Sequence, residues 1–295
     1  MLLVVVCLGS LPSFAGPLVT GVRMKITAGD LASGMAAVED YKRETGVDAE
    51  YLNAIGWLAR GALLLGQLEL ADRYVAELHR EIPEEKDGVI TPFGAAIEVE
   101  GRLHLTRDGR GEALRYFRSA LERAKDAALR ARIHKNINLL TLEGSAAPAL
   151  EMSNYVGAAP LSAAELKGKP VLLFFWANWC GDCKAQAASL ARVWQRYRGK
   201  GLVLMAPTRL YGTVDDKPAT PAEEKAQVAK IWAETYAGLD GVTAPIDDAG
   251  DIRYGASATP TFVLIDRHGI VRFYAPTRLS EEELSRRIDA VLAEE

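Results

Sequence analysis

The chain has 295 residues, of which 49% are hydrophobic and 25% are charged, a composition typical of a globular protein with room for about two domains. Its formal net charge is -4, and no dense block of lysine or arginine occurs. Nucleic acid and anionic membrane surfaces therefore gain no support as partners. After the first ten residues, no apolar run approaches the roughly 18 residues that a membrane span needs.

Residues 1–15 are predicted to be a secretory signal peptide. Leu2 to Leu8 is an unbroken apolar run, and small residues occupy both positions that precede a cut after Ala15. The first basic residue is Arg23, so the usual positive charge before the apolar run is missing, and a retained N-terminal anchor is the alternative. Cys7 follows a bulky valine, which disfavours a lipoprotein signal. We expect export to the periplasm or another extracytoplasmic space, with Cys7 removed.

Residues 24–142 are predicted to form a helical domain, because apolar residues recur there at helical spacing. Two predicted helix pairs each carry a small residue in both helices at the crossing point: Ala59 with Ala71, and Gly101 with Ala113. This arrangement resembles tetratricopeptide-type hairpins, although the second pair begins 42 residues after the first instead of about 34. A concave surface for a protein partner and a plain helical bundle both remain open.

Residues 143–160 are rich in Ala, Gly, Ser and Pro and are predicted to be a linker or an irregular lead-in. Strands and helices alternate from 161 to 295. Val171–Trp176 and Leu202–Ala206 are apolar without alternation, which predicts strands covered on both faces. Mixed strands with interleaved helices predict an α/β domain with a mixed central sheet flanked by helices.

Two further patterns mark elements of this domain. Thr261–Ile265 and Ile270–Tyr274 flank the turn DRHG and predict an antiparallel hairpin. Capping-box pairs predict three helix starts: Ser162 with Glu165, Thr220 with Glu223, and Ser280 with Glu283. The span from Thr208 to Ala244 is predicted to be a helical insertion with an exposed polar loop beside the active-site edge.

Cys180 and Cys183 stand three residues apart, directly after the buried strand that ends at Trp176. A zinc site needs four ligands, but no second cysteine pair exists, and His268 is the single histidine that follows the pair. A structural disulfide across so short a loop would remove little entropy from the unfolded chain. Neither a metal nor a cofactor is therefore predicted, and redox chemistry is the remaining interpretation.

The position of the pair suits that chemistry. The strand delivers the chain to the carboxyl edge of the sheet, and the two cysteines then open a helix that is predicted to run to about Tyr197. Unpaired N–H groups and the helix dipole favour a thiolate on Cys180 at that helix start. Cys183 is expected on the same face, one turn deeper and shielded. We expect the exposed Cys180 to attack while Cys183 waits to resolve.

The segments WANWCGDCK, SATPTFVLIDRHGIV and LSAAELKGKPVLLFFW resemble the thioredoxin fold, and more narrowly the exported TlpA/ResA-like thiol-disulfide oxidoreductases. The resemblance covers about residues 161–292. It implies that Cys180 is the nucleophile, that Cys183 is the resolving cysteine, and that a cis bond at Thr259-Pro260 faces them. It also implies that Trp179 shields the pair while Trp176 packs beneath it.

Two departures from the family pattern concern acidic residues. Relatives often carry a buried carboxylate six residues before the first cysteine or three after the second, where this chain has Phe174 and Gln186. Between the cysteines stands Asp182, whose charge disfavours the Cys180 thiolate. A less stabilised thiolate means a less stable dithiol, so we expect a reductant, with Lys184 partly offsetting the charge.

The sequence therefore predicts an exported thiol-disulfide oxidoreductase that reduces protein disulfides. Its expected partners are a protein substrate with a disulfide or dithiol, an electron donor, and a possible protein partner on the helical domain. A disulfide oxidant or isomerase is the alternative among enzymes. From another class, the alternative is a protein-binding adaptor in which the thioredoxin-like domain is structural.

Overall fold

The computed structural model describes residues 16–215 and 217–293. The predicted signal peptide and Cys7 lie outside these residues. The chain divides into two compact units, one that ends at Ile137 and one that begins at Asn138, which we call the helical unit and the α/β unit. None of the described helices is long and apolar enough to cross a membrane.

The N-terminal half is a succession of helices. Their bounds are α1 Pro17–Thr27, α2 Leu31–Thr45, α3 Ala49–Leu64, α4 Leu68–Glu81, α5 Ile90–Arg107, α6 Arg110–Arg123 and α7 Ala127–Thr141. Helix α1 begins before residue 24, the predicted start of the helical domain, and continues past it. Helix α5 begins at Ile90, before the predicted crossing point at Gly101.

Small residues bring neighbouring helices of this unit close together. A Cβ atom added at Gly101 in α5 would overlap the ring of Phe117 in α6, and one added at Gly56 in α3 would lie 2.9 Å from the Cβ of Ala95 in α5. Ala59 and Ala71, at the predicted crossing of α3 with α4, are both fully buried. The helices therefore pack through glycine and alanine, whose small side chains permit close backbone approach.

A buried carboxylate also links three helices of the helical unit. Glu98 of α5 is paired with Arg60 of α3 at 3.2 Å and with Lys135 of α7 at 3.0 Å. Burial by itself would raise the pKa of Glu98, but the Lys135 and Arg60 cations hold it well below its ordinary value. The acid is thus ionised across the physiological range, and loss of either cation would weaken the compensation of its buried charge.

The α/β unit contains a mixed sheet with strands in the order β1-β6-β3-β2-β7-β8. The strands are β1 Tyr155–Gly157, β2 Val171–Phe175, β3 Val203–Met205, β6 Thr243–Pro245, β7 Thr261–Ile265 and β8 Val271–Ala275, with a separate small hairpin formed by β4 Thr213–Val214 and β5 Lys217–Pro218. The helices are α8 Ala163–Leu166, α9 Gly181–Tyr197, α10 Pro221–Thr235, α11 Asp248–Tyr254 and α12 Glu281–Ala293. The fold class predicted for this half of the chain is confirmed.

Strand β2 lies inside the sheet, parallel to β3 and antiparallel to β7. All five of its residues are buried, as its unbroken apolar sequence predicted. Phe174 faces a core that includes α9 and the tryptophans, whereas Phe175 faces the opposite core with Tyr254. The sheet edge at which β2 ends is therefore fixed by packing on both faces.

The segment predicted as a linker, 143–160, has more structure than its composition indicated. Tyr155–Gly157 forms β1, which pairs antiparallel with β6 at the edge of the sheet. Ala146 forms an isolated bridge with Ile270, and the N–H of Tyr274 donates to the Glu143 carboxylate at 3.0 Å. Long-range pairing overrides the weak local preference of this Ala- and Gly-rich sequence.

The glycine contact in α5 yields a stability prediction. Gly101→Ala should lower the free energy of unfolding by about 1–3 kcal/mol, because its methyl group cannot fit beside Phe117 without a backbone shift. Urea denaturation, monitored by the circular dichroism signal of the helices, measures this decrease in the free energy of unfolding. Gly111→Ala in α6 is the matched control, since a Cβ there meets nothing within 4 Å. Equal effects from both substitutions would refute the close packing.

Candidate active site

Cys180 and Cys183 form a disulfide at the start of α9, with their Cα atoms 5.2 Å apart. Cys180 is the N-cap residue of this helix, and the backbone N–H of Cys183 donates to its Sγ at 3.0 Å. The same N–H would point at a Cys180 thiolate once the bond is reduced. The helix start therefore supplies a hydrogen bond and a dipole that both favour negative charge on that sulfur.

Both cysteines have an exposed fraction of 0% in this disulfide form. The expectation that Cys180 is exposed is thus wrong for the oxidised protein, whereas the shielded position of Cys183 is as expected. Cys180 is covered because it belongs to the main core cluster of the α/β unit, against which Trp179, Leu210 and Tyr211 also pack. Exposure depends on these neighbours, which the local sequence does not specify.

The Thr259-Pro260 peptide bond is cis, as the resemblance implied. The carbonyl oxygen of Thr259 lies 3.5 Å from the Sγ of Cys180, so this loop directly faces the disulfide. Thr259 and Pro260 are buried, while the preceding Ser257 and Ala258 are partly exposed. The site is thus bounded on one side by the start of α9 and on the other by the loop before β7.

The two tryptophans that were predicted to surround the cysteine pair occupy different positions. Trp176 is fully buried beneath the site, where its Nε1 donates to the carbonyl of Ala206 at 2.9 Å and its ring packs on that of Tyr236. Trp179 is partly exposed, and its ring meets Tyr211 edge-on with a centroid distance of 5.2 Å. Trp176 supports the loop that carries the cysteines, and Trp179 lies on its outer side.

Tyr211 belongs to the predicted insertion after β3, and its position is fixed by an acid that sequence reasoning missed. Glu224 of α10 is fully buried and accepts from the backbone N–H groups of Tyr211 and Gly212, both at 2.7 Å. The β4–β5 hairpin follows directly. The insertion therefore meets the active-site loop at the Tyr211–Trp179 contact, which places it beside the active-site edge as predicted.

Asp182 is partly exposed and has a cationic neighbour other than the expected Lys184. The Nη1 of Arg278, in the loop between β8 and α12, lies 3.6 Å from the Asp182 Oδ1. Gln186, which stands where relatives often have an acid, is buried on the same helix. Phe174 packs among Phe262 and Tyr236, so neither alternative position supplies a carboxylate.

A second buried acid lies close to the insertion and was also missed by sequence reasoning. Asp251 of α11 has an exposed fraction of 1%, and its nearest cation is Arg209, whose Nε is 3.3 Å from Oδ1. Neither oxygen of Asp251 has a hydrogen-bond partner among the described residues. Burial raises the pKa of Asp251 to about 7, against the opposing effect of Arg209. Arg209 in turn lies over the ring of Tyr211.

No group of three or more His, Cys, Asp and Glu side chains that could hold a metal ion is present in residues 16–215 and 217–293. His268 lies exposed in the turn between β7 and β8, where its backbone N–H donates to the Asp266 carboxylate.

Comparison with known proteins agrees with this architecture. Residues 144–274 match the AhpC/TSA family. The chain is 26% identical over 150 residues to the thioredoxin-like protein YneN of Bacillus subtilis, covering 50% of this chain and 79% of that protein. It is also 26% identical over 152 residues to the thiol-disulfide oxidoreductase ResA of Geobacillus thermodenitrificans, covering 50% and 77%.

Among solved structures, a DsbE-type thiol:disulfide interchange protein from Chlorobium tepidum has 25% identity and a TM-score of 0.40, covering 51% of this chain and 98% of its own. The resemblance predicted for residues 161–292 is confirmed by the AhpC/TSA match over residues 144–274 and by the similarity to YneN and ResA. The enzyme class that the resemblance implied, thiol-disulfide oxidoreductase, agrees with the name of the ResA relative.

The buried Asp251 yields a prediction about pH. Its folded pKa of about 7 lies above the usual value of about 4, so the folded state keeps a proton that the unfolded chain releases. The free energy of unfolding should therefore fall, by about 1–4 kcal/mol, as pH rises from about 4 to about 7. Asp251→Asn should remove this part of the slope and be the more stable protein at pH 8.

Urea denaturation followed by tryptophan fluorescence at several pH values measures this slope, since four of the five tryptophans follow Asn138. Asp215→Asn, which makes the same charge change at an exposed residue, is the control. An identical pH profile for wild type and Asp251→Asn would show that Asp251 stays ionised in the folded protein.

Proposed function

We propose that this chain, whose residues 144–274 match the AhpC/TSA family, is an exported thiol-disulfide oxidoreductase that reduces protein disulfides through Cys180 and Cys183. The observation that carries the proposal is the hydrogen bond from the N–H of Cys183 to the Sγ of Cys180 at the start of α9. This contact distinguishes the two sulfurs, because one lies at the helix N-terminus and the other one turn inside.

The reaction starts from the dithiol. The Cys180 thiolate attacks one sulfur of a substrate disulfide, a Cys180–substrate disulfide forms, and the second substrate sulfur leaves as a thiolate. Cys183 then loses its proton and attacks the Sγ of Cys180, which expels the first substrate sulfur. Two electrons pass to the substrate, which ends as a dithiol, and the protein ends in the disulfide form. An external dithiol donor returns the protein to its starting state.

Three observations support roles for the groups around the pair. The Thr259 carbonyl faces Cys180, so the backbone before cis Pro260 is placed to pair with an extended substrate segment. Trp179 lies at the partly exposed side of the same loop and shapes the access to the sulfurs. Trp176 acts from below, by holding the loop on β3 through the Ala206 carbonyl.

The direction of electron transfer depends on the charges near Cys180. Asp182 adds negative charge near Cys180 and favours a reductant, whereas Arg278 partly offsets that charge. An oxidant or isomerase would instead require a strongly stabilised thiolate. An insulin-reduction assay, together with the redox potential of the pair, separates a reductase from these alternatives and from a purely structural thioredoxin-like domain.

A second role, docking of a protein partner, is favoured by a cavity of about 760 Å³ in the helical unit. Its lining combines apolar side chains such as Phe93 and Ile97 with polar ones such as Tyr116 and Arg123. The tetratricopeptide-like hairpins would then present this surface to a substrate or an electron donor. In that case Phe93→Ala should weaken capture of the native partner and leave insulin reduction unchanged.

Export is proposed from the apolar N-terminal run, which lies outside the described residues, and from the redox chemistry itself. Stable protein disulfides, the substrates of such an enzyme, form and persist mainly in oxidising compartments outside the cytoplasm. A fusion of residues 1–30 to a reporter that is active only after export tests this part, and an inactive reporter in cells that accumulate the fusion would contradict it.

The proposed order of attack predicts different outcomes for substitution of the two cysteines. Cys180→Ser should abolish insulin reduction, because the helix-start nucleophile is lost. Cys183→Ser should instead accumulate a Cys180–substrate disulfide that cannot resolve, visible as a shifted band on a non-reducing gel. The matched control is the double variant, which should trap nothing. Trapping by Cys180→Ser rather than by Cys183→Ser would reverse the assignment.

A further inference from the structure

The side-chain amide of Gln186 pairs with the backbone of Leu279. Its Nε2 donates to the Leu279 carbonyl at 2.9 Å, and its Oε1 accepts from the Leu279 N–H at 3.1 Å. Nε2 also donates to the Ser189 Oγ at 2.8 Å. One buried amide of α9 thus makes a two-point contact with the loop that joins β8 to α12, 93 residues further along the chain.

The amide orientation follows from its partners. A carbonyl oxygen needs a donor and a backbone N–H needs an acceptor, so a flipped amide would lose both bonds to Leu279. An ionised glutamate at this position could accept from the N–H but would have no hydrogen for the carbonyl. The contact is therefore specific to glutamine, at the position where relatives often carry an acid.

The contact between Gln186 and Leu279 also restricts the position of Arg278, the residue before Leu279. Arg278 places its Nη1 3.6 Å from the Asp182 Oδ1, and the two side chains have exposed fractions of 52% and 27%. An exposed arginine in a free loop would sample many rotamers, whereas here the loop backbone is held to the helix that carries Asp182. Gln186 and Asp182 lie four residues apart on α9, so the contact and the ion pair occupy adjacent turns.

We propose that Gln186 is a positioning residue that holds Arg278 beside Asp182, and that this ion pair sets the balance between the dithiol and disulfide forms of Cys180 and Cys183. The proposal rests on the proposed redox function and adds to it the group that moderates Asp182. A buried amide of α9 thereby holds a cation beside Asp182.

The charge of each group determines the direction in which it shifts the equilibrium between dithiol and disulfide. A cation near the start of α9 stabilises the Cys180 thiolate and so favours the reduced protein, while Asp182 acts in the opposite sense. Lys184 is exposed on the same helix and contributes in the same direction as Arg278. Removal of Arg278 should therefore make the pair more reducing, and removal of the Asp182 charge should make it more oxidising.

The full chain is equilibrated in glutathione buffers until its thiol content is constant, and the equilibrium constant for reduction is measured. Arg278→Gln should shift this constant about threefold toward the disulfide, which is about 14 mV for a two-electron couple. Arg278→Lys, which keeps the charge, should restore most of the shift, and Asp182→Asn should move the constant the other way. Arg198→Gln, an exposed arginine at the far end of α9, is the matched control and should leave it unchanged.

A double-mutant cycle tests the positioning. Gln186→Met keeps the side-chain length but loses both bonds to Leu279, so it should shift the constant in the same direction as Arg278→Gln. Adding Arg278→Gln to Gln186→Met should then have less than half of its effect in wild type. Gln186→Leu, which adds no charge and also loses both bonds to Leu279, serves the same purpose if the methionine variant folds poorly.

An unchanged constant in Arg278→Gln would overturn the role of the ion pair, and equal Arg278→Gln effects in both Gln186 backgrounds would overturn the positioning. These measurements use no protein substrate, so a negative result can be distinguished from a failure of insulin reduction or of trapping, which test the proposed function. The rate of Cys180 alkylation against pH in the reduced protein is a second readout. Arg278→Gln should raise the pKa of Cys180, and an unchanged profile together with an unchanged constant would refute the proposal.

Discussion

The site depends on the burial of strand β2 on both faces. Phe174 and Phe175 point into opposite cores, so the strand can neither slip by one residue nor rotate without exposing an aromatic ring. Trp176 continues this constraint beyond the last strand residue, through its bond to the Ala206 carbonyl. The chain consequently reaches the sheet edge at a fixed point, and the cysteines occupy the first positions at which a helix can begin.

Two sets of groups, at different distances from Cys180, set the electrostatic environment of the cysteine pair. Close to Cys180, the charge-stabilising groups belong to the backbone, namely the Cys183 N–H and the dipole of α9. Further out, formal charges act through partly solvated side chains, Asp182 and Arg278. Backbone groups cannot be altered by substitution without changing the helix, whereas the outer charges can vary freely. This division allows the same fold to keep its nucleophile while its redox balance is adjusted at the rim.

Local patterns in the sequence predicted the elements that local forces determine. The strand from Val171, the hairpin that begins at Thr261 and the capping boxes at Ser162 and Thr220 all appear in the structure, because each depends on neighbours within a few residues. Glycine and alanine at the predicted crossings of the helical unit are likewise found in close packing.

Contacts between distant residues were not predictable in the same way. Gln186 meets Leu279 across 93 residues, and Glu224 holds the backbone of Tyr211 from a helix that follows it. Strand β1 is only three residues long, and it forms because β6 offers it an edge with which to pair. The burial of Cys180 belongs in part to this class, since Leu210 and Tyr211, which are distant in sequence, pack with Trp179 against the core cluster that contains it. The helix-start position fixed the chemistry of that sulfur but not its accessibility.

The complete burial of both sulfurs in the oxidised protein has a kinetic consequence. A small thiol in solution meets a surface without an accessible sulfur atom, so it must wait for a local opening of the loop near Trp179. A protein partner that docks at this loop can displace the cover by its own binding and reach the disulfide at once. The pair is then insulated from the surrounding pool of small thiols, and its electrons flow along routes chosen by docking rather than by redox potential alone.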